Sequence, residues 1–180
     1  MRYQSKIQFC FNQSQNKGIT LNAPVSGQVE PIEAMPGANH LINEMGEGVA
    51  IKMEGQTVYA PFNAIVLDWQ PGFGKVVLQA ANKLKFIIQL DFQCMTMHGM
   101  GIKPFIKVGQ KIAQGSPLFQ VDLYKLRLHL TSVKLYFLII NHNQIKTIEV
   151  IHKYVTGNQD KLFNLIPITK KQPNTNNKEK

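Results

Sequence analysis

The chain has 180 residues, of which 44% are hydrophobic, which makes it one domain, or one domain with tails, with enough apolar surface for a core. Its formal net charge of +9 raises nucleic acid or an anionic surface as partners. The basic residues are scattered, however, and part of the excess sits in Lys170, Lys171, Lys178 and Lys180 against Glu179, so a solvated basic surface is the better reading and no nucleic-acid partner is expected. Cys10 and Cys94 lack metal or redox spacing, so two reduced thiols are expected rather than a disulfide. Met1–Gly18 lacks the apolar core of a signal peptide. The longest apolar run, Leu135–Ile140, is too short to cross a bilayer. A cytoplasmic protein with no stable membrane insertion is the expectation.

In chain order, residues 1–19 are rich in Gln, Asn, Ser and Lys around an Ile7–Phe11 patch, and read as a flexible leader with a small docking patch. Residues 20–166 read as one domain of short strands separated by Gly, Pro and Asn turns. The candidate strands are Gln28–Ile32, Val49–Ile51, Thr57–Tyr59, Ile65–Leu67, Lys75–Leu78, Lys85–Leu90, Leu118–Val121, Val133–Ile140 and Ile145–Val150. Many are rich in β-branched residues, which pack well on a pleated surface. Short helical pieces are expected near Ala38–Met45 and Leu123–Leu130. Residues 167–180 hold Pro, Asn and Lys without an apolar period and read as a disordered basic tail. Ala23-Pro24-Val25-Ser26-Gly27-Gln28-Val29 recurs loosely as Ala60-Pro61-Phe62-Asn63-Ala64-Ile65-Val66, as two half-barrel units of similar shape would require.

Three blocks stand out: Ala23-Pro24-Val25-Ser26-Gly27, then Gly46-Glu47-Gly48-Val49-Ala50-Ile51-Lys52, then Val108-Gly109-Gln110-Lys111-Ile112-Ala113-Gln114-Gly115. With Ala60-Pro61 and Gln120-Val121-Asp122-Leu123, they follow in the order and spacing of a known family. Over roughly residues 20–142 the chain resembles the glucose-type enzyme IIA of the bacterial phosphoenolpyruvate-dependent sugar phosphotransferase system. Glu47 stands where that family has Asp. The resemblance implies an all-β fold. It would be a compact barrel-sandwich of short, mostly antiparallel strands, a duplicated hybrid motif with short helical turns.

The family works through two histidines fifteen residues apart on neighbouring strands. Laid on this chain without gaps, those positions read Gly74 and Gln89. A one-residue gap near Ala80–Lys83 places Phe73 at the first position instead. Neither choice yields an imidazole, the neutral nucleophile that carries the phosphoryl group near pH 7. Glycine has no side chain, and a glutamine amide hydrogen-bonds but is no nucleophile. Two acidic positions flanking the family's site also read differently, as Gly37 and Gln93. No catalytic residue is therefore carried over.

The remaining chemistry is sparse. Of the five histidines, His40 matches an apolar position beside the family's binding face. His98 lies in the Met-rich turn Met95-Thr96-Met97-His98-Gly99-Met100, and His129, His142 and His152 fall toward the C-terminal end. No His, Cys and carboxylate cluster has zinc spacing, so no metal and no cofactor is expected, including the metal the family can bind through its two histidines. There is no phosphate-binding Gly-x-x-x-x-Gly-Lys-Ser/Thr loop and no His-Glu-x-x-His. Lys52 is better explained by the Ala-Ile-Lys block than as a carrier lysine of the biotinyl kind.

The family's surface passes phosphoryl groups from the carrier HPr to a sugar-specific permease component. Unphosphorylated, it also binds and inhibits permeases and kinases. The resemblance thus implies an enzyme IIA-like component, inactive as a phosphocarrier, that acts by protein–protein binding or regulation. Its candidate partners are HPr, a sugar permease or a metabolic kinase. The expected contact residues, taken from the face around the family's site, are His40, Leu41, Met45, Gln70, Phe73, Gly74, Gln89, Met95 and Met97. For Met45 and Met95, packed core is the competing reading. Trp69 and Phe73 read either as core or as an exposed apolar patch. The alternative function is a working phosphotransferase in sugar uptake that uses a displaced histidine such as His40. The lost carboxylates and the basic chain would also shift partner choice toward an acidic protein.

Overall fold

A computed structural model describes residues 5–11, 17–32 and 46–168. The expected helix at Ala38–Met45 lies outside the described residues, as do Gly37, His40, Leu41 and Met45 and all of the tail beyond residue 168. Fifteen strands carry the described chain. The first six are β1 (Ile7–Phe9), β2 (Ile19–Asn22), β3 (Gly27–Pro31), β4 (Glu47–Met53), β5 (Thr57–Tyr59) and β6 (Ala64–Gln70). A 3-10 turn at Pro71–Phe73 leads to β7 (Lys75–Ala80) and β8 (Lys85–Leu90), and a second at Phe92–Met97 precedes β9 (Ile102–Pro104). Then come β10 (Lys111–Ile112), β11 (Pro117–Val121), the single-turn helix α1 (Leu123–Arg127), β12 (Lys134–Ile139), β13 (Ile145–Val150), β14 (Tyr154–Val155) and β15 (Lys161–Pro167).

Every strand expected from sequence is present, with bounds moved by a few residues. Six were not anticipated: β1, the short β2, β9, β10 and β14, and the seven-residue β15. Within the segment read as a flexible leader, Ile7–Phe9 forms β1 on the edge of β13. Pro167, read as the first residue of the tail, ends β15. The expected helix at Leu123–Leu130 stops at Arg127; its first turn is closed by Asp122, whose side chain accepts from the Lys125 N–H at 3.0 Å.

The strands form three sheets, in the orders β1-β13-β15-β2, β10-β6-β7-β8-β12-β4-β3-β14 and β5-β11-β9. All pairings are antiparallel except β1 with β13. The architecture is a β-sandwich, and the eight-stranded sheet ends at β10 and β14 without closing into a barrel. The echo seen in sequence has a structural counterpart. Ala23–Ser26 bends into β3, and Ala60–Asn63 bends into β6. The Pro24 carbonyl accepts the Tyr59 N–H at 2.7 Å, and the Pro61 carbonyl accepts the Asn22 N–H at 3.3 Å. Asn158 N–H bonds to Ala23 O, and Gly115 N–H to Ala60 O, each at 2.9 Å. Each bend thus binds the other and is clasped by a later turn of its own.

Most inward side chains join one core that includes Val29, Ile51, Val66, Leu78, Ile88, Leu90, Phe119, Phe137 and Phe163. A smaller cluster, Ile32, Ala50, Ile87, Tyr136 and Leu138, covers the opposite face of the large sheet. Central strands are therefore buried on both faces, which is why β8 and β12 read as continuous apolar runs rather than alternating ones. Where β4 meets β12 the backbones press together at Gly48, whose absent Cβ would lie 1.9 Å from the Phe137 carbonyl oxygen. Gly48→Ala forces that ladder apart. We expect it to cost at least about 3 kcal/mol, or to prevent folding, read from the urea midpoint; an unchanged midpoint would contradict this packing.

Candidate functional site

The β7–β8 hairpin brings the two positions singled out in sequence onto neighbouring strands, one residue out of register with each other. Lys75 pairs with Gln89, and the Leu90 N–H donates to the Gly74 carbonyl at 3.3 Å. Directly opposed residues of antiparallel strands share a face. A single row therefore crosses six strands: Gln70, Lys75, Gln89, Tyr136, Ala50 and Glu30. The next row on that face is Asp68, Val77, Ile87, Leu138 and Gly48. The second row is thus apolar apart from Asp68, and the first is polar at both ends, at Gln70 and Lys75 on one side and Glu30 on the other.

Gly74 is held by its turn. Its N–H donates to the Pro71 carbonyl at 3.2 Å, and its φ of 52° lies in the left-handed region that disfavours side chains. A Cβ at Gly74 would meet Leu90 Cδ1 at 2.7 Å, Leu90 Cγ at 2.9 Å and Ile102 Cδ1 at 3.2 Å. Leu90 and Ile102 therefore fill the space a side chain at this position would need. Gln89 is only 2% exposed, and its Oε1 has no hydrogen-bond partner. It underlies the surface rather than lining it.

The other expected contact residues scatter in character. Phe73, at the tip of the 3-10 turn, is 40% exposed. Trp69 is half-buried, with its ring 5.2 Å from that of Phe119, so it belongs to the core. Gln70 donates to the Asp68 carboxylate at 2.7 Å. Met95 and Met97 are half-buried in the second 3-10 turn, and Met97 packs against the main core. Phe92 stands 41% exposed in the same turn, with its ring 6.1 Å from that of Tyr136. Gln93, at a position acidic in the family, is exposed, and its N–H donates to the Asp91 side chain at 3.3 Å.

Several residues of this face were invisible to sequence reasoning. Lys75 is brought opposite Gln89 by strand register, although its place directly after Gly74 was a usable signal. Tyr136 joins the row from β12, and its hydroxyl donates to Asp91 Oδ1 at 3.3 Å. Burial, followed by the charge of Asp91 and this hydrogen bond, pushes the Tyr136 phenol well above its ordinary range. Burial and Asp91 also push the Cys94 thiol up to about 12, so it is no nucleophile. Glu30 pairs with Lys134 at 2.8 Å at the far end of the row.

Gly74 offers no donor atom and Gln89 only an amide, so the pair does not fit the metal that two histidines would hold. Among the described residues, no cluster of three or more His, Cys, Asp or Glu could hold a metal ion. No described helix is long and apolar enough to cross a membrane. An open cleft of about 430 Å³ lies beside this face, lined by Gln56, Gly101, Ile102, Lys103, Gln120, Val121 and Asp122. It shares Ile102 with the surroundings of Gly74, but the row of facing side chains lies outside it.

A sandwich of two interlocked bends fits an enzyme IIA-type domain of the glucose class. Residues 19–145 match the family of the phosphoenolpyruvate-dependent sugar phosphotransferase system, EIIA 1, and the chain belongs to that family. The glucose-specific EIICBA component of Staphylococcus carnosus (strain TM300) is 28% identical over 146 residues, covering 81% of this chain and 22% of that protein. The glucoside-specific EIICBA component of the same organism is 27% identical over 146 residues, covering 81% of this chain and 21% of that protein. The chain therefore spans about a fifth of the length of these relatives. The glucose permease IIA of Mycoplasma capricolum shares the fold, with a TM-score of 0.72 at 20% identity over 82% of this chain and 96% of that one.

The packing at Gly74 makes the site resistant to simple restoration. Gly74→His combines a left-handed backbone with a crowded Cβ, and is expected to cost about 2–4 kcal/mol by urea denaturation. Adding Leu90→Ala opens space for the new side chain, so the pair should be less destabilised than the sum of the two single changes. Additivity within error would show that Leu90 does not oppose the side chain.

Proposed function

We propose that this protein is an enzyme IIA-type component that carries no phosphoryl group and acts by binding other proteins through the face around Phe73. One observation carries the reading. The two positions where the family's histidines would face each other hold Gly74 and a buried Gln89, and Leu90 and Ile102 fill the space above Gly74. Phosphoryl transfer through a carrier needs a nucleophile at that spot, and none of these groups is one. Binding has no such requirement. Phe73 and Phe92 leave large apolar rings exposed on adjoining 3-10 turns, the kind of anchor that interfaces use.

HPr, a sugar permease component and a metabolic kinase are the partner classes this reading favours. Partner contact falls on Phe73 and the half-buried Lys75 rather than on the buried Gln89 amide. The residues of the leader and the tail are outside this proposal.

The decisive experiment is incubation with phosphoenolpyruvate, enzyme I and HPr, followed by intact-mass measurement. We expect no gain of a phosphoryl group. A gain that disappears in His40→Gln would replace this reading with a phosphotransferase that uses a displaced histidine. In parallel, Phe73→Ala should weaken binding to the cognate partner about tenfold or more by calorimetry, with the urea midpoint unchanged. Binding indifferent to Phe73 would place the contact elsewhere.

A further inference from the structure

The N-terminal strand is fastened in an unusual way. β1 is three residues long, half-exposed, and lies parallel on β13 in an otherwise antiparallel molecule. Two backbone bonds frame it, Ile148 N–H to the Lys6 carbonyl and Cys10 N–H to the Val150 carbonyl, each at 2.9 Å. Its other ties run to the end of β4 and the turn after β12. The Glu47 carboxylate, 2% exposed, accepts the Lys6 N–H at 2.5 Å and the Ser5 hydroxyl at 3.2 Å through Oε2. The Lys6 ammonium donates to the His142 carbonyl at 2.9 Å.

The second oxygen of that carboxylate is the telling feature. Glu47 Oε1 has no hydrogen-bond partner, and neither does His142 Nδ1, which faces it at 3.7 Å. A buried charge is stable only while its hydrogen bonds are kept. Here one oxygen alone does the holding, and both of its donors come from the segment it holds. Lose the segment, and the carboxylate gains water. Lose the charge, and the segment loses its strongest tie.

We propose that residues 5–10 form a releasable strap, locked by the Glu47 carboxylate on Ser5 and Lys6 and made acid-labile by His142 beside it. The family's Asp at this position is one methylene shorter, so the reach to the strap belongs to the Glu of this chain. The charged groups facing His142 are Glu47 from β4 and Lys6 from the strap; Lys146 of β13 lines the cleft beside Ser5 and Lys6. Burial lowers the His142 pKa from its ordinary 6.5, Glu47 opposes that shift, and Lys6 adds to it. The sign follows from linkage. The closed strap presents the Lys6 ammonium to His142, so the closed form resists protonation. Acid therefore favours the open form, beginning as pH falls below 6.5 and levelling off once the lowered pKa is passed. Opening bares the outer edge of β13, an unpaired backbone row.

Amide hydrogen exchange on the full chain tests this, corrected for intrinsic rates, at about pH 7 and about pH 5.5 on either side of most of a histidine titration. Protection of the Lys6 and Cys10 amides should fall at the lower pH, by no more than the roughly eightfold that one histidine of ordinary pKa allows between these values, while that of Val76 in the core does not. His142→Gln should remove the pH dependence, and Glu47→Gln should lower strap protection at both values. Equal protection of the strap at the two pH values would overturn the proposal. So would a parallel loss at Val76, which would mark global unfolding instead. Should Glu47→Gln fail to fold, Ser5→Ala removes one donor from an exposed residue. It should lower Lys6 protection at neutral pH, and no change there would equally count against the lock.

Discussion

Two backbone hydrogen bonds hold the plan of this molecule. Tyr59 donates to Pro24, and Asn22 donates to Pro61, so each Ala-Pro bend is the acceptor for the strand that feeds the other. Proline fixes φ at each bend and has no N–H of its own to satisfy, and its carbonyl serves as the acceptor. The two bends therefore cannot form independently. Each places a strand, β3 or β6, and each of those takes a two-residue edge strand, β14 or β10, as its outer neighbour. The large sheet is consequently laid out alike from both ends, and its centre falls between β8 and β12.

That centre is where the site lies. Gln89 on β8 and Tyr136 on β12 are direct cross-strand partners, and the row through them reaches Gln70 on one side and Glu30 on the other. A position at the junction of the two halves is braced by both, so its backbone is set by the fold and not by local sequence. The ladder there is made by backbone pairing and does not depend on the side chain at each position. Gln89 occupies its place with a buried amide, and Gly74 with a left-handed turn closed on Pro71. The scaffold is built by the bends and turns at the rim rather than by the side chains at Gly74 and Gln89.

This division also explains what could be read in the sequence. The rim is made of residues with strong local preferences: Ala23-Pro24, Ala60-Pro61 and the turn glycines Gly109 and Gly115, both at positive φ. Such residues mark their conformation without reference to partners, and the order of these blocks carried the fold. The site was legible only as two positions. Its other members meet through register: Lys75 with Gln89 inside one hairpin, and Tyr136 with Gln89 across 47 residues. The burial of Gln89, the filling of the Gly74 space by Leu90 and Ile102, and the Asp91–Tyr136 bond are products of packing, which periodicity does not report. Three-residue β1 was lost for a different reason. It is too short to show alternation, and its partner β13 lies at the other end of the chain.

The β4–β12 ladder carries both the Glu47 lock of the strap and part of the row that runs through Gln89. Glu47 opposes Ile139, and three residues along the ladder Ala50 opposes Tyr136, a separation of about 10 Å at strand rise. Between them stand Leu138, fully buried, and Gly48, pressed against the Phe137 carbonyl. Close packing of this kind has no slack with which to pass a small displacement along gradually. Opening the strap changes the edge of the four-stranded sheet. The molecule then has two distinct regions: the candidate face at the centre of the large sheet, and an edge of the four-stranded sheet covered by β1, which backbone bonds and the buried Glu47 carboxylate fasten.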